Sequence, residues 1–264
     1  DHYDFSEHHP DMIFIHNPYD HCNRVTSVHS FFYSKNLKQF TDKLIYVPYF
    51  ILDEISPNDQ RAIDGIEHFC ILPGVINADK VIVQSENMRQ IYINVLTKTV
   101  GEITRKYWKN KIAGFGSPKV EKLLSMKNED LQIPREWLDI IQKPDGSWKK
   151  IVFYNTSIGA LLQHRNKMLE KMKDVFEVLK KHQAEVALLW RPHPLIKATI
   201  ESMQPQLWNE YQKIVAHYKE EAWGIYDDSA DMDRAVAISD AYYGDPSSIA
   251  YLFSKVDKVV MIQN

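Results

Sequence analysis

The chain alternates short apolar runs with longer amphipathic segments from one end to the other. Most of the apolar runs are continuous rather than alternating, a pattern typical of strands that are covered on both faces of a parallel sheet. Nine runs are predicted as strands: 11–16 (DMIFIH), 43–50 (KLIYVPYF), 78–85 (ADKVIVQS), 109–116 (KNKIAGFG), 149–155 (KKIVFYN), 185–190 (EVALLW), 223–227 (WGIYD), 240–244 (DAYYG) and 258–263 (KVVMIQ).

Four of the segments between these runs are predicted as helices: 86–100, 163–182, 230–238 and 246–255. In the longest of them, apolar residues recur at helical spacing while lysines occupy the other face. The apolar positions are Met168, Met172, Val175, Phe176 and Leu179. This stripe predicts packing against a core and not a cofactor site.

Strands and helices that alternate with short connections indicate an α/β architecture. The best candidate for a domain boundary is the segment 125–148, which contains many charges, prolines and a Pro-Asp-Gly turn signal. We therefore predict an amino-terminal domain over 1–124, a linker over 125–148 and a carboxyl-terminal domain over 149–264.

Composition narrows the functional classes. The 264 residues include 32 basic and 35 acidic side chains, so the net charge of −3 provides no general attraction to nucleic acid. Cys22 and Cys70 are too few for a disulfide framework, and we expect a reducing compartment, with the cytoplasm as the default. No apolar run reaches the roughly 20 residues of a membrane-spanning helix. The first residue is Asp1, which leaves open that the chain is truncated at its amino terminus.

Three common catalytic fingerprints are missing from the sequence. It contains no G-x-S-x-G elbow, no Walker loop and no G-x-G-x-x-G turn. Hydrolase, ATPase and dehydrogenase functions therefore lose their usual support, and candidate chemistry has to be sought at the carboxyl ends of the strands, where parallel sheets bind ligands.

The first such candidate follows the strand 185–190, where the sequence continues Arg-Pro-His-Pro. Arg191 can bind a phosphate through two parallel N–H bonds, and His193 can contact an anion or move a proton near neutral pH. The prolines keep the backbone extended and reduce the entropy cost of placing both side chains. The alternative, that Arg191 simply pairs with a neighbouring carboxylate, stays open.

A second candidate is the Asp-Pro-Ser-Ser segment after the strand 240–244. Asp245, Ser247 and Ser248 precede a predicted helix, whose free N–H groups and dipole favour an anion. Asp245 could equally serve only as the cap of that helix. Thr156 and Ser157 repeat the arrangement after the strand 149–155, again with capping as the alternative.

Histidines are frequent before residue 30. His29 is the one that we consider as a general base, because one short helix separates it from the strand 43–50; ordinary packing or solvation is its alternative. A metal site could be drawn from His16, His21 and Cys22, but their spacing matches no known metal motif. We predict neither a bound metal nor a cofactor.

Two segments together resemble the carboxyl-terminal half of the CDP-glycerol glycerophosphotransferase family, the polymerases and primases of teichoic-acid synthesis. These segments are RPHP at 191–194 and DDSADMDRAVAISDAYYGDPSSIAYLF at 227–253. Weaker resemblance extends to HPDMIFIHNPYD, KLIYVPYF, ADKVIVQSE and GSPKVEKL, so that it covers most of the chain. The resemblance implies a GT-B fold, with two Rossmann-like domains that each contain a parallel sheet.

Carried over residue by residue, the resemblance implies that Arg191 contacts the donor diphosphate and that His193 assists the leaving phosphate. It implies donor binding by Asp245, Ser247 and Ser248. The function it implies is transfer of glycerol phosphate from CDP-glycerol to a cell-envelope or capsular polymer or a lipid-linked acceptor of a bacterium. We expect a cytoplasmic protein, with peripheral attachment to the inner face of the membrane left open, and no nucleic-acid partner.

The sequence departs from the family pattern at three places. Pro246 replaces the Tyr between the Asp and the Ser, Leu252 stands where an Asp is usual, and the Trp-His-Gly segment of the base is missing, a role for which His29 is the substitute we consider. A nucleotide-sugar glycosyltransferase of the same fold, and a binding module that retains the fold without catalysis, therefore stay as alternatives. A metal-dependent hydrolase that uses the amino-terminal histidines is a third. The oligomeric state is not predicted.

Overall fold

A computed structural model of the chain describes residues 4–23, 27–127, 129 and 131–263. The chain divides into two compact units, Asp1–Pro118 and Lys119–Asn264, and each contains one sheet of parallel strands. All nine predicted strands are present, each shorter than the apolar run that predicted it. The prediction of an α/β fold with two parallel sheets is confirmed.

The first unit contains a four-stranded sheet in the order β1-β2-β3-β4, with every neighbouring pair parallel. Its strands are β1 Met12–Ile15, β2 Lys43–Tyr46, β3 Lys80–Val83 and β4 Ile112–Gly114. Its helices are α1 Phe5–His8, α2 Ser34–Leu37, α3 Gln60–Cys70, α4 Pro73–Asn77, α5 Glu86–Val100 and α6 Arg105–Lys111. Helix α5 has the predicted bounds because Ser85 caps its start through a bond from Met88 N, and Gly101, with φ of 118°, ends it.

The second unit contains a five-stranded parallel sheet in the order β7-β6-β5-β8-β9. Its strands are β5 Lys150–Asn155, β6 Val186–Trp190, β7 Ile225–Tyr226, β8 Ala241–Gly244 and β9 Val259–Ile262. Helix α7 Pro118–Ser125 spans the start of the unit, and the helices that follow are α8 Arg135–Ile141, α9 Ile158–His164, α10 Asn166–Lys180, α11 Ile196–Met203, α12 Trp208–Glu221, α13 Met232–Ile238 and α14 Ser248–Lys255.

The core of the second unit explains the continuous apolar strands. Ile151, Phe153, Leu188 and Leu189 are fully buried, as expected for central strands with both faces covered. The predicted stripe on α10 packs into this core: Met168, Met172, Val175 and Phe176 are buried, and Leu179 packs against them partly exposed. The predicted packing of the stripe against a core is confirmed.

The segment 125–148 is not an isolated connection, because it lies inside the second unit, which begins at Lys119. Helix α8 in this segment buries Trp137 and Ile141. Arg234 lies over the Trp137 ring, 4.6 Å from its centroid, and donates a 3.0 Å hydrogen bond to Gln132 O. Apolar side chains among the charges therefore attach the predicted linker to the rest of the unit.

Three of the four predicted helices begin or end differently from their predictions. The predicted helix 230–238 begins at Met232, because Asp231 caps it by accepting a bond from Arg234 N. The predicted helix 163–182 is interrupted at Arg165, whose φ of 49° separates α9 from α10. The predicted helix 246–255 begins at Ser248, because Ser247 rather than Pro246 or Asp245 caps it, by accepting a bond from Ala250 N. Asp245 is thereby left available for other contacts.

Candidate functional site

Strand order creates a topological switch point in the middle of the second sheet. From β5 the chain proceeds to β6 and β7 on one side, and then returns to place β8 and β9 on the other side of β5. Ligands of open parallel sheets bind outside the carboxyl ends of the strands at such a point. The ends of β5 and β8 are therefore where a ligand is expected. In the first sheet the described strands follow one another in sequential order.

Gly244 allows these two strand ends to approach closely. It lies opposite Asn155 in the register of β5 and β8, and a Cβ atom at position 244 would lie 2.2 Å from Asn155 O. That distance is too short for any other side chain. The residue after the glycine, Asp245, donates its N–H to the same carbonyl oxygen at 3.3 Å.

Asp245 connects the exits of three strands. Its Oδ2 accepts a 2.6 Å bond from Ser157 N after β5, and its Oδ1 accepts a 2.7 Å bond from Gln263 Nε2 after β9. Its carbonyl oxygen accepts a 2.5 Å bond from the hydroxyl of Tyr242, in β8. The residue is buried, with 7% of its surface exposed. Asp245 therefore does not cap α14, whose cap is Ser247; it accepts the N–H of Ser157, the residue that caps α9.

A cavity of about 510 Å³ opens at this place. Helices α9 and α10 contribute three side chains that can carry positive charge, and the exits of β8 and β9 contribute a carboxylate and an amide. The lining residues are Ser157, Gly159, Ala160, Gln163, His164, Lys167, Met168, Lys171, Asp245, Pro246 and Gln263. The cavity has the volume of a small-molecule site, and its lining contains both side chains that can carry positive charge and side chains that accept hydrogen bonds.

Three buried oxygen atoms next to this network lack hydrogen-bond partners within the described part of the chain. They are the hydroxyl oxygen of Tyr154, in β5, Thr156 Oγ1, on a residue that is 1% exposed, and Gln263 Oε1. The Nε2 atom of Gln263 has to face the carboxylate of Asp245, so Oε1 is directed elsewhere. Buried polar atoms without partners are uncommon and often mark the place of a ligand or an ordered water.

The predicted residues are distributed unevenly around the cavity. Ser157 and Asp245 line it. Ser157 Oγ caps α9 by accepting a 3.0 Å bond from Ala160 N, so the hydroxyl also has a structural role. Ser247 caps α14 and lies 3.1 Å from the hydroxyl of Tyr242, whereas Ser248, the first residue of α14, is exposed. Phosphate binding by these residues remains a prediction.

Arg191 is buried and forms an ion pair inside the protein. Its Nη1 donates to the Asp227 carboxylate, and its Nη2 donates a 2.7 Å bond to Ser229 O. These contacts attach the segment after β7 to the end of β6. Pairing with a carboxylate is the alternative that the sequence left open, and a direct role of Arg191 in phosphate binding remains a prediction.

His193 is exposed at the same end of the sheet. Its Nδ1 lies 3.1 Å from Leu195 N and accepts that N–H, which leaves the Nε2–H available to a ligand. Partial desolvation lowers the pKa of the ring below its usual 6.5. A neutral ring at pH 7 can donate a hydrogen bond to a phosphate, but it is poorly suited to protonate a leaving group.

His29 belongs to the first unit, where it caps a short 3-10 turn, Ser30–Phe32. Its Nδ1 accepts a 3.3 Å bond from Phe31 N, and the residue is exposed. The role of general base remains a prediction. Among the described residues no group of three His, Cys, Asp or Glu side chains is arranged to hold a metal ion.

Four cavity residues were not found from the sequence: His164, Lys167, Lys171 and Gln263. Lys167 and Lys171 are four residues apart on α10, a helical spacing that directs them to one side, and His164 is the last residue of α9. The sequence pattern places these lysines only on the helix face opposite the apolar stripe. Gln263 directly follows β9, so the rule about strand exits could have identified it.

No known family model matches the sequence, and no curated protein does. Similar solved structures include a co-structure of S. aureus MnaA with UDP, with a TM-score of 0.50 at 14% identity, covering 96% of this chain and 57% of that one. They also include the wall teichoic acid polymerase TagF soaked with CDPG, with a TM-score of 0.44 at 14% identity, covering 83% of this chain and 48% of that one. A UDP-forming trehalose-phosphate synthase from Burkholderia vietnamiensis has a TM-score of 0.37 at 13% identity, covering 87% of this chain and 54% of that one.

The chain therefore spans about half the length of these solved structures. At this low identity the similarity concerns the fold, and the two parallel sheets and the likeness to MnaA are consistent with the GT-B-like fold that the sequence resemblance implied. In the described part of the chain no helix is long and apolar enough to cross a membrane.

Proposed function

We propose that the chain binds a nucleotide diphosphate donor in the cavity at the ends of β5 and β8 and transfers a group from it to a bacterial envelope or capsular acceptor. The cavity itself carries this proposal, because it lies at the switch point and combines His164, Lys167 and Lys171 with the loops after β5 and β8. Cationic side chains in a cleft favour phosphates through charge-assisted hydrogen bonds.

The donor that we propose is CDP-glycerol, on the basis of the sequence resemblance at Arg191, His193 and the segment 245–248. The acceptor hydroxyl would attack the phosphorus that carries glycerol, and cleavage of the diphosphate would release CMP. Catalysis of this type consists mainly of positioning and of neutralising charge. A nucleotide sugar would instead release the whole nucleoside diphosphate, so the released nucleotide distinguishes the two donors. The similar structure of MnaA is a co-structure with UDP.

Calorimetric titration with CDP, CDP-glycerol, UDP and UDP-sugars tests donor binding. We expect one nucleotide series to bind, and we expect the double variant Lys167→Gln/Lys171→Gln to bind it at least about 10-fold more weakly, because two charge-assisted contacts are lost. Lys173→Gln is the matched control, since Lys173 lies on the same helix but pairs with Glu210 at 2.5 Å and lines a different groove.

Binding without turnover would indicate a module that retains the fold without catalysis. Turnover is followed as release of CMP from CDP-glycerol, or of UDP from a UDP-sugar, in the presence of envelope acceptors. The proposal is wrong if none of the nucleotides binds, or if the two cavity lysines can be replaced without any loss of affinity.

A further inference from the structure

The cavity at the ends of β5 and β8 is chemically divided. Helices α9 and α10 contribute the basic residues Lys167 and Lys171, whereas the exits of β8 and β9 contribute Asp245 and Gln263. A phosphate is attracted by the first pair and repelled by the carboxylate of the second. The two pairs are therefore suited to different parts of one ligand.

Asp245 is a buried carboxylate whose two described side-chain hydrogen bonds both come from neutral donors, Ser157 N and Gln263 Nε2. Each carboxylate oxygen can accept more than one hydrogen bond, so capacity remains at both atoms. Additional hydrogen-bond donors would stabilise a charge that has been withdrawn from water.

Gln263 adds a second acceptor at the same place. The residue is 7% exposed, it lines the cavity, and its Oε1 has no hydrogen-bond partner in the described part of the chain. The bond from Nε2 to Asp245 fixes the orientation of the amide, so rotation cannot exchange the two ends. A ligand atom near Oε1 has to be a donor in order to satisfy it.

From these contacts we infer that Asp245 and Gln263 form a hydroxyl-binding subsite, which selects a phosphorylated ligand that carries hydroxyl groups, such as a ribose or a glycerol phosphate. The inference rests on the proposed function, because it assumes that the cavity binds a phosphorylated ligand. It assigns Asp245 to the hydroxyl groups of that ligand rather than to its phosphates. The lysines of α10 hold the phosphate, and the Asp245–Gln263 pair orients the polyol.

Two pairs of ligands that differ only in hydroxyl groups test this inference. The first pair is CDP and 2′,3′-dideoxy-CDP, and the second is glycerol 1-phosphate and propyl phosphate. We expect the hydroxylated member of a pair to bind the wild-type protein about 10- to 100-fold more tightly, because its partner leaves buried acceptors unsatisfied.

The variant Gln263→Met should reduce this preference at least about fivefold, since methionine retains the length of the side chain and removes both polar atoms. Gln163→Met is the matched control, because Gln163 lines the same cavity but is exposed. It should leave the preference unchanged. A purely structural role of Gln263 would weaken both members of a pair equally and preserve their ratio.

The results separate this inference from the proposed function. If nucleotides bind with no preference for hydroxyl groups, the subsite is refuted while the donor-binding function stands. If only glycerol 1-phosphate binds, and binds better than propyl phosphate, the subsite stands while the nucleotide function fails. If no ligand of either pair binds, or if Gln263→Met preserves the preference, the inference is overturned.

Discussion

Arg191 and Asp227 form a buried ion pair across the ends of β6 and β7. The Arg191 side chain is 8% exposed and the Asp227 side chain 1%, and Ser229 O accepts a further bond from the guanidinium. Removal of one member of such a pair leaves a buried charge without a partner, which costs more than the net value of the pair. The Arg-Pro-His-Pro segment therefore has a structural function as well as its proposed chemical one.

We predict that Asp227→Ala lowers the free energy of unfolding by about 3 to 5 kcal/mol. Asp228→Ala is the control: its side chain is exposed and lies 3.6 Å from Lys219, and its loss should change stability by less than about 0.5 kcal/mol. Urea denaturation measures both. Equal effects of the two substitutions would show that the buried pair contributes little.

Gly244 should be essential for the geometry of the cavity. Because an added Cβ would lie 2.2 Å from Asn155 O, Gly244→Ala has to separate the ends of β5 and β8, and we expect a loss of more than about 2 kcal/mol together with loss of ligand binding. Gly65→Ala, in the exposed middle of α3 with no atom within 4 Å of the added Cβ, should instead stabilise the protein by about 0.5 to 1 kcal/mol. Thermal unfolding compares the two variants, and a Gly244→Ala protein as stable as the wild type would contradict the close approach.

The ring of His193 should titrate below pH 6.5, because partial desolvation lowers its pKa. Between the folded and unfolded pKa values the unfolded chain binds more protons, so this residue makes stability rise with pH through that window and fall again on acidification. NMR titration of the ring measures the pKa, with His193→Gln identifying the signal. A pKa at or above 6.5 would restore a protonated His193 as a candidate acid for the leaving group.

Lys111, in the first unit, provides a second test of how burial shifts a pKa. Its Nζ donates a 2.6 Å bond to Ile76 O, and desolvation lowers its pKa from 10.5 to about 8. Between these pKa values the unfolded chain again binds more protons than the folded chain. From pH 7 to pH 9.5 the free energy of unfolding of the wild type should therefore rise by about 1 to 2 kcal/mol relative to that of Lys111→Met. Comparison of the two proteins at both pH values removes the contribution of other groups. A difference that does not change with pH would place the pKa near its ordinary value.

Much of the fold could be predicted because its signals are local. A strand with both faces covered needs a continuous apolar run, as in β6, and a helix against a sheet needs apolar residues at helical spacing, as in α10. Helix α8 was missed because Trp137 and Ile141 lie among charges and prolines, which are typical of a linker. The break at Arg165 was missed because the apolar stripe of α10 gives no indication of a backbone with positive φ.

The candidate site was only partly predictable. The rule that ligands bind at strand exits drew attention to Ser157 and Asp245, which line the cavity, since that rule depends on strand positions alone. The partners of the polar side chains could not be found in this way. Asp227 is 36 residues from Arg191, and Gln263 is 18 from Asp245, and no local spacing relates the members of either pair.

The nine strands, the parallel sheets and the group of polar residues at the strand ends could be predicted from the sequence, because burial and helical or strand periodicity depend on neighbouring positions. The contacts of those polar residues depend on how the chain folds in three dimensions. Strand order brings β5, β8 and β9 side by side, and a charge removed from water must then be satisfied by whatever donors the fold places there. For Arg191 that partner is Asp227, and for Asp245 the partners are Ser157 and Gln263.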